Sequence, residues 1–122
     1  MRIAFACVGL LFCGSQAEAT CRTGSFSFRL GNETPIAATT SYTHGGDQCL
    51  LGFRGGIRTK YESINVTRAP SNGSTRVHSS GYGIIYTANS SFKGIDTLQV
   101  RLCGHGGARR GCAVFNYTVS VR

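Results

Sequence analysis

Acidic side chains are scarce in this sequence: five Asp and Glu stand against thirteen Lys and Arg, for a formal net charge of +8. Glycosidase chemistry needs two carboxylates flanking one bond, and calcium wants six or more oxygen ligands. Asp47, Glu62 and Asp96 are a thin supply for either. Long apolar runs are also missing. The longest, residues 3–12, falls well short of the roughly 20 residues that cross a bilayer. There is no Gly-x-Ser-x-Gly nucleophile elbow, no sustained helical period, no internal repeat and no low-complexity tail. Histidine is limited to His44, His78 and His105, each beside turn-forming residues. Cys103-x-His105 with Cys112 has a loosely zinc-like spacing, but thiols in an oxidising compartment pair with each other. The reading is therefore of a non-enzyme, with no catalytic residue, no metal ligand and no cofactor.

What the chain does have begins with an export signal. Met1-Arg2 gives a positive start, residues 3–12 are apolar, and Ala17-Glu18-Ala19 is a small-x-small cleavage site. Residues 1–19 are read as the signal peptide and residues 20–122 as one domain, secreted or periplasmic, with no transmembrane segment. A lipid anchor at Cys13 is the alternative, with bulky Phe12 fitting it poorly. Removing the signal leaves Cys21, Cys49, Cys103 and Cys112, and an even count in an exported chain points to disulfides. It also removes one Arg and one Glu, so twelve basic residues still face four acidic ones.

Short strands separated by Gly, Ser, Asn and Thr clusters give an all-β pattern. Strands are expected at residues 25–30, 49–53, 62–68, 75–78, 82–87, 98–102 and 113–121. The last two are the clearest: Leu98, Val100 and Leu102 share one face, as do Ala113, Phe115, Tyr117, Val119 and Val121. A period of two over that length means one buried and one wet side. Placing Cys103 opposite Cys112 in a hairpin sets Leu102 against Ala113, Val100 against Phe115 and Leu98 against Tyr117. Inward then meets inward throughout, and a one-residue slip would break the match. That register predicts a Cys103–Cys112 bridge on the outer face and leaves Cys21–Cys49 as the second. Residues 104–111, rich in glycine, are expected to form an open, flexible loop. Gly52-Phe53-Arg54-Gly55-Gly56 lacks the following helix that a phosphate loop needs and reads as a turn.

The second half carries a series of pieces in order: Pro70-Ser71-Asn72-Gly73, Ile84-Ile85-Tyr86, Phe92-Lys93-Gly94-Ile95-Asp96, the strand from Leu98 to Leu102, and Val119-Ser120-Val121. In order and spacing this resembles the bacterial Ig-like, cadherin-like domains. The resemblance implies an Ig-like antiparallel β-sandwich of about seven strands, here disulfide-stapled. The chain departs from the pattern at Ala88, where the family carries Pro, and at Leu98, where it carries an aromatic. Phe92, Gly94 and Asp96 read as a structural turn motif. Gly94 supplies a backbone angle that a side chain resists, and Asp96 accepts backbone N–H groups ahead of the strand. Tyr86 and Phe92 are expected to pack across the interior.

The expected role is an exported binding module for a protein or surface glycan. A small secreted inhibitor or effector that blocks another protein's site is the second reading. Twelve scattered basic residues favour anionic partners without the clustered stripe of a nucleic-acid binder, so no nucleic acid is expected. Arg109-Arg110, the adjacent basic pair, is the candidate contact for an anionic partner. Asn32, Asn65, Asn72, Asn89 and Asn116 form formal glycosylation acceptors, expected to be unmodified in a bacterial chain.

Overall fold

The computed structural model describes residues 21–53, 58–107 and 109–122. The expected signal peptide, the alternative anchor at Cys13 and most of the turn expected at residues 52–56 lie outside the described residues. The described chain is all-β, with eight strands: β1 Ile36–Ala37, β2 Ser41–Thr43, β3 Gln48–Gly52, β4 Thr59–Arg68, β5 Gly73–Val77, β6 Gly83–Ala88, β7 Gly94–Gly106 and β8 Arg109–Val121.

They form a disulfide-stapled β-sandwich. One sheet runs β1-β8-β7-β4, with β2 following β1 along the same edge of β8; the other runs β3-β6-β5. The separation of the last two strands and their partner from a second antiparallel sheet is the immunoglobulin-type arrangement. The β7–β8 register is the one the alternation dictates: Cys103 pairs with Cys112, Leu102 with Ala113, Val100 with Phe115 and Leu98 with Tyr117. Leu98, Val100, Leu102, Phe115 and Val119 are fully buried. They meet Cys49, Leu51, Ile84, Tyr86 and Ala88 from the other sheet in one core. At about 25 cal/mol per Å² of apolar surface removed from water, this facing set is the main favourable contribution to folding.

The disulfides join Cys21 to Cys49 and Cys103 to Cys112, as the register and elimination require. Cys49 lies inside the core, so the first bridge pins the leading segment to β3. The second bridge sits half-buried on the outer face of the β7–β8 pair.

Three expectations are corrected. Residues 25–30 form no strand. Phe26 and Phe28 do pack edge-on against Phe115, 5.0 and 4.7 Å between ring centres, and Leu30 is buried. Alternation therefore reported burial correctly, but the neighbouring edge of β8 is already taken by β1 and β2. Those two pair with β8 in parallel, Ile36 beside Phe115 and Ser41 beside Val119, so the sandwich is not wholly antiparallel. Finally, the open loop expected over residues 104–111 is largely a continuation of the hairpin. His105 pairs with Arg110 and Gly106 with Arg109. Gly104 is needed there for close approach rather than for freedom. A Cβ on it would overlap the carbonyl oxygen of Lys60, where β4 bulges between Tyr61 and Ser63.

Candidate functional site

Polar chemistry collects at the two opposite ends of the sandwich. At one end, Asp96 opens the buried run of β7 and is 3% exposed. A buried carboxylate is costly unless its lone pairs are filled, and here they are. Oδ1 accepts the backbone N–H groups of Ser71 (3.0 Å) and Thr97 (3.1 Å). Oδ2 accepts the N–H of Asn72 (3.1 Å) and the hydroxyl of Tyr86 (2.8 Å). Burial, reinforced by this bond to Asp96, pushes the Tyr86 hydroxyl well above its ordinary pKa. Two residues upstream, Gly94 holds φ at +141°, with the Phe92 ring 3.3 Å from where a Cβ would stand. The pieces of the second-half motif thus converge on one carboxylate that ties the β4–β5 turn to β6 and β7. Nothing of Asp96 is left over for a ligand, so this end is built for structure.

The other end surrounds the β7–β8 hairpin tip. Register brings Lys60 of β4 opposite His105 of β7, and His105 opposite Arg110 of β8. The adjacent residues Tyr61 and Gly104 take the inward positions, so alternation turns Lys60, His105 and Arg110 to the outer face in one row. Arg109, next to Arg110 at the hairpin tip, takes the alternate position opposite Gly106, and Arg58 immediately precedes β4; both are exposed. Two acidic residues approach. Glu62, pushed outward at the bulge, lies 3.3 Å from Arg110 Nη1. Glu33 pairs with Arg101 at 2.8 Å, and that bond holds the Glu33 carboxyl below the usual range. Among the described residues, Arg58, Lys60 and Arg109 form no ion pair.

The scaffold under this end is firm. The Tyr61 hydroxyl donates to the carbonyl of Phe53, Tyr82 donates to Thr59 at 2.6 Å, and Tyr117 reaches across to Gly52 at 3.2 Å. These bonds fix both chain segments that flank residues 54–57. Burial raises the Tyr61 and Tyr117 hydroxyls, each helped by a neighbouring tyrosine. The Cys103–Cys112 bridge lies in the outward row next to His105 and Arg110. Arg101 Nη2 approaches Cys112 Sγ at 3.3 Å. Beside Ala113 and Val114 of β8, a shallow groove of about 300 Å³ is lined by Phe28, Arg29, Asn32, Ile36 and Val114.

Of the residues singled out from the sequence, Arg109 and Arg110 fall together on this end, and Phe92, Gly94 and Asp96 on the opposite one. Lys60 and Arg58 escaped sequence reading, and His105 was singled out only for its zinc-like spacing to the cysteines, because only the pairing of three strands brings Lys60 and His105 beside Arg110. The histidines do not converge. His78 bonds Ser80 through Nδ1 in a turn (2.8 Å), and His44 lies in the β2–β3 connection. Among the described residues no three His, Cys, Asp or Glu side chains gather as a metal site would require. No described helix is long and apolar enough to cross a membrane.

The fold and the two ends define a class, a disulfide-stapled β-sandwich with one structural pole and one basic pole. Beyond that class, neither the protein-family models nor the curated proteins compared with this sequence gave a match.

Proposed function

We propose that this chain is an exported, non-enzymatic Ig-like module that binds an anionic partner, a protein or a surface glycan, through the basic end of its sandwich. The observation that carries the reading is the outward-facing Lys60–His105–Arg110 row, half-buried at His105 and exposed at Lys60 and Arg110, with Arg109 beside it. Positive side chains held on rigid strands keep their donors available at little entropic cost, which favours binding by preorganisation. Loops and strand ends at one pole of a sandwich are also where this architecture places its contacts. Two disulfides fit export into an oxidising compartment, as do the first nineteen residues. Kinship with the bacterial Ig-like domains belongs to the same reading. It is supported by the Asp96 junction, which gives each piece of the second-half motif a joint structural task.

The test is affinity capture from native envelope material, using the oxidised chain and its R109A/R110A variant. The reading expects a partner that is retained at low salt, released as ionic strength rises, and lost in the double variant. Equal, salt-insensitive retention by both proteins would remove the basic end from the function.

A further inference from the structure

We infer that the outer face of β4, β7 and β8 at the basic end binds a linear polysaccharide carrying a carboxylate or sulfate on its repeats, laid across the three strands. This rests on the proposed use of the basic end and narrows it to one class of partner. Neighbouring strands lie about 4.8 Å apart, so Lys60, His105 and Arg110 rise from the sheet at roughly 5 Å intervals over about 10 Å. A single small anion can meet one or two of these groups. A chain with repeating charges can meet the whole row, and Arg58 and Arg109, toward the hairpin tip, add positive charge near it.

The rest of the face fits sugar better than protein or bases. Below the basic row come the Cys103–Cys112 bridge, then Arg101, held by Glu33, with Val114 beside it, and beyond these the outward positions are hydroxyl and amide side chains. Thr67 Oγ1 donates to Gln99 Oε1 at 2.9 Å, and Gln99 Nε2 donates to Asn116 Oδ1 at 2.9 Å, a polar ladder across all three strands. Ser63 and Asn65 fill the outward positions of β4 between this ladder and Lys60. Protein interfaces draw most of their energy from buried aromatic or aliphatic anchors, and single-stranded nucleic acid is held by aromatic stacking platforms. Among the described residues the exposed large apolar ones are Tyr42, Leu50, Val77 and Ile95. Three of them lie on other strands, and Ile95 lies at the far end of β7, away from the row. Among the described residues the face therefore offers charge and hydrogen bonds without an exposed apolar anchor. Glu62 acts against the ligand, since its carboxylate occupies Arg110 at 3.3 Å; with both side chains largely exposed, the pair gives way easily.

The experiment measures binding of the oxidised chain to dextran sulfate, polygalacturonate, neutral dextran and a short DNA duplex, over a range of salt. Both charged polysaccharides should bind with affinity falling as salt rises, and neutral dextran should not bind. K60Q/R109Q/R110Q should weaken polysaccharide binding about tenfold or more at low salt, by loss of three local charges. R68Q/R76Q/K93Q removes the same formal charge away from the row and should change binding less than about twofold. Glu62→Gln should tighten binding. Matching thermal midpoints would show all variants folded. Equal weakening by the two triple variants would overturn the inference, because net charge alone would then explain binding. Tighter, equally local binding of duplex DNA would overturn it in favour of nucleic acid. If neither polysaccharide binds while R109A/R110A still abolishes capture of a protein partner, the polysaccharide fails and the basic end survives; if that capture is also unaffected, both fall.

Discussion

The two ends of this sandwich use charge in opposite ways. At the Asp96 end a single carboxylate is buried, and three backbone N–H groups and the Tyr86 hydroxyl are directed onto it. At the hairpin end basic side chains stand in water, and Arg58, Lys60 and Arg109 are left without an ionic partner among the described residues. A buried charge with every bond satisfied contributes to holding the fold, and breaking it is costly. An exposed charge contributes little to stability and remains open to a ligand. The contrast teaches that the conspicuous acidic residue and the conspicuous basic ones have different tasks, although both lie on β7 or β8.

Substitutions can break that comparison or sharpen it. The largest loss of stability is expected from the staples, which hold the frame both ends share. Loop entropy over a sequence separation of 28 makes Cys21–Cys49 worth about 3.6 kcal/mol, against about 2.6 kcal/mol for Cys103–Cys112 with a separation of 9. C21A/C49A should therefore lower the denaturation midpoint more than C103A/C112A, and it also opens the core at Cys49. The reverse order in urea titrations would place the more important staple at the hairpin. Next comes Asp96→Ala, which strands three backbone donors and should cost about 3 kcal/mol. Tyr86→Phe removes one bond from the same carboxylate and should cost about 1 kcal/mol. If Asp96→Ala were nearly neutral, the structural role of that end would be wrong.

Alkali gives a graded version of the same test. Tyr61, Tyr86 and Tyr117 all have hydroxyls raised above the ordinary value. For an acid whose folded pKa is raised, the stabilising contribution is complete below the unfolded pKa and is lost as pH rises above it. Stability should thus be insensitive to these groups through neutral pH and fall above about pH 10, where unfolded tyrosine ionises. Followed by tyrosinate absorbance, the Tyr86→Phe variant should lose part of that alkaline step. The smallest effect on stability is expected from R109A/R110A, within about 0.5 kcal/mol of the parent. A larger loss would mean that Arg110 and Glu62 serve the fold rather than a partner.

The second half of this fold is legible from its residues because its information is local. Alternation fixed which side of β7 and β8 faces the core, and two cysteines in a near-symmetric hairpin left one consistent register. Asp96 and Gly94 were readable as turn residues, although three of the four donors that fill the carboxylate come from residues 71, 72 and 86 and needed the fold. The first half was less legible for a physical reason. Phe26 and Phe28 alternate because their rings pack on Phe115, yet side-chain burial says nothing about whether the backbone has a strand to pair with. The parallel contacts of β1 and β2 with β8 join the start of the domain to its end and leave no local pattern. Glycine misled at residues 104–111, since Gly104 marks the close approach of β4 and not a loop. The basic row was half visible: Arg109 and Arg110 are neighbours in sequence, whereas Lys60 and His105 join them only through register.

The separation of tasks between the ends is tested most directly by mapping backbone amide shifts while polygalacturonate is titrated into isotopically labelled, oxidised protein. The account predicts shifts concentrated at Lys60, His105, Arg109 and Arg110, with Asp96, Ser71 and Asn72 unmoved. Shifts centred on the Asp96 end, or spread evenly over the surface, would contradict it.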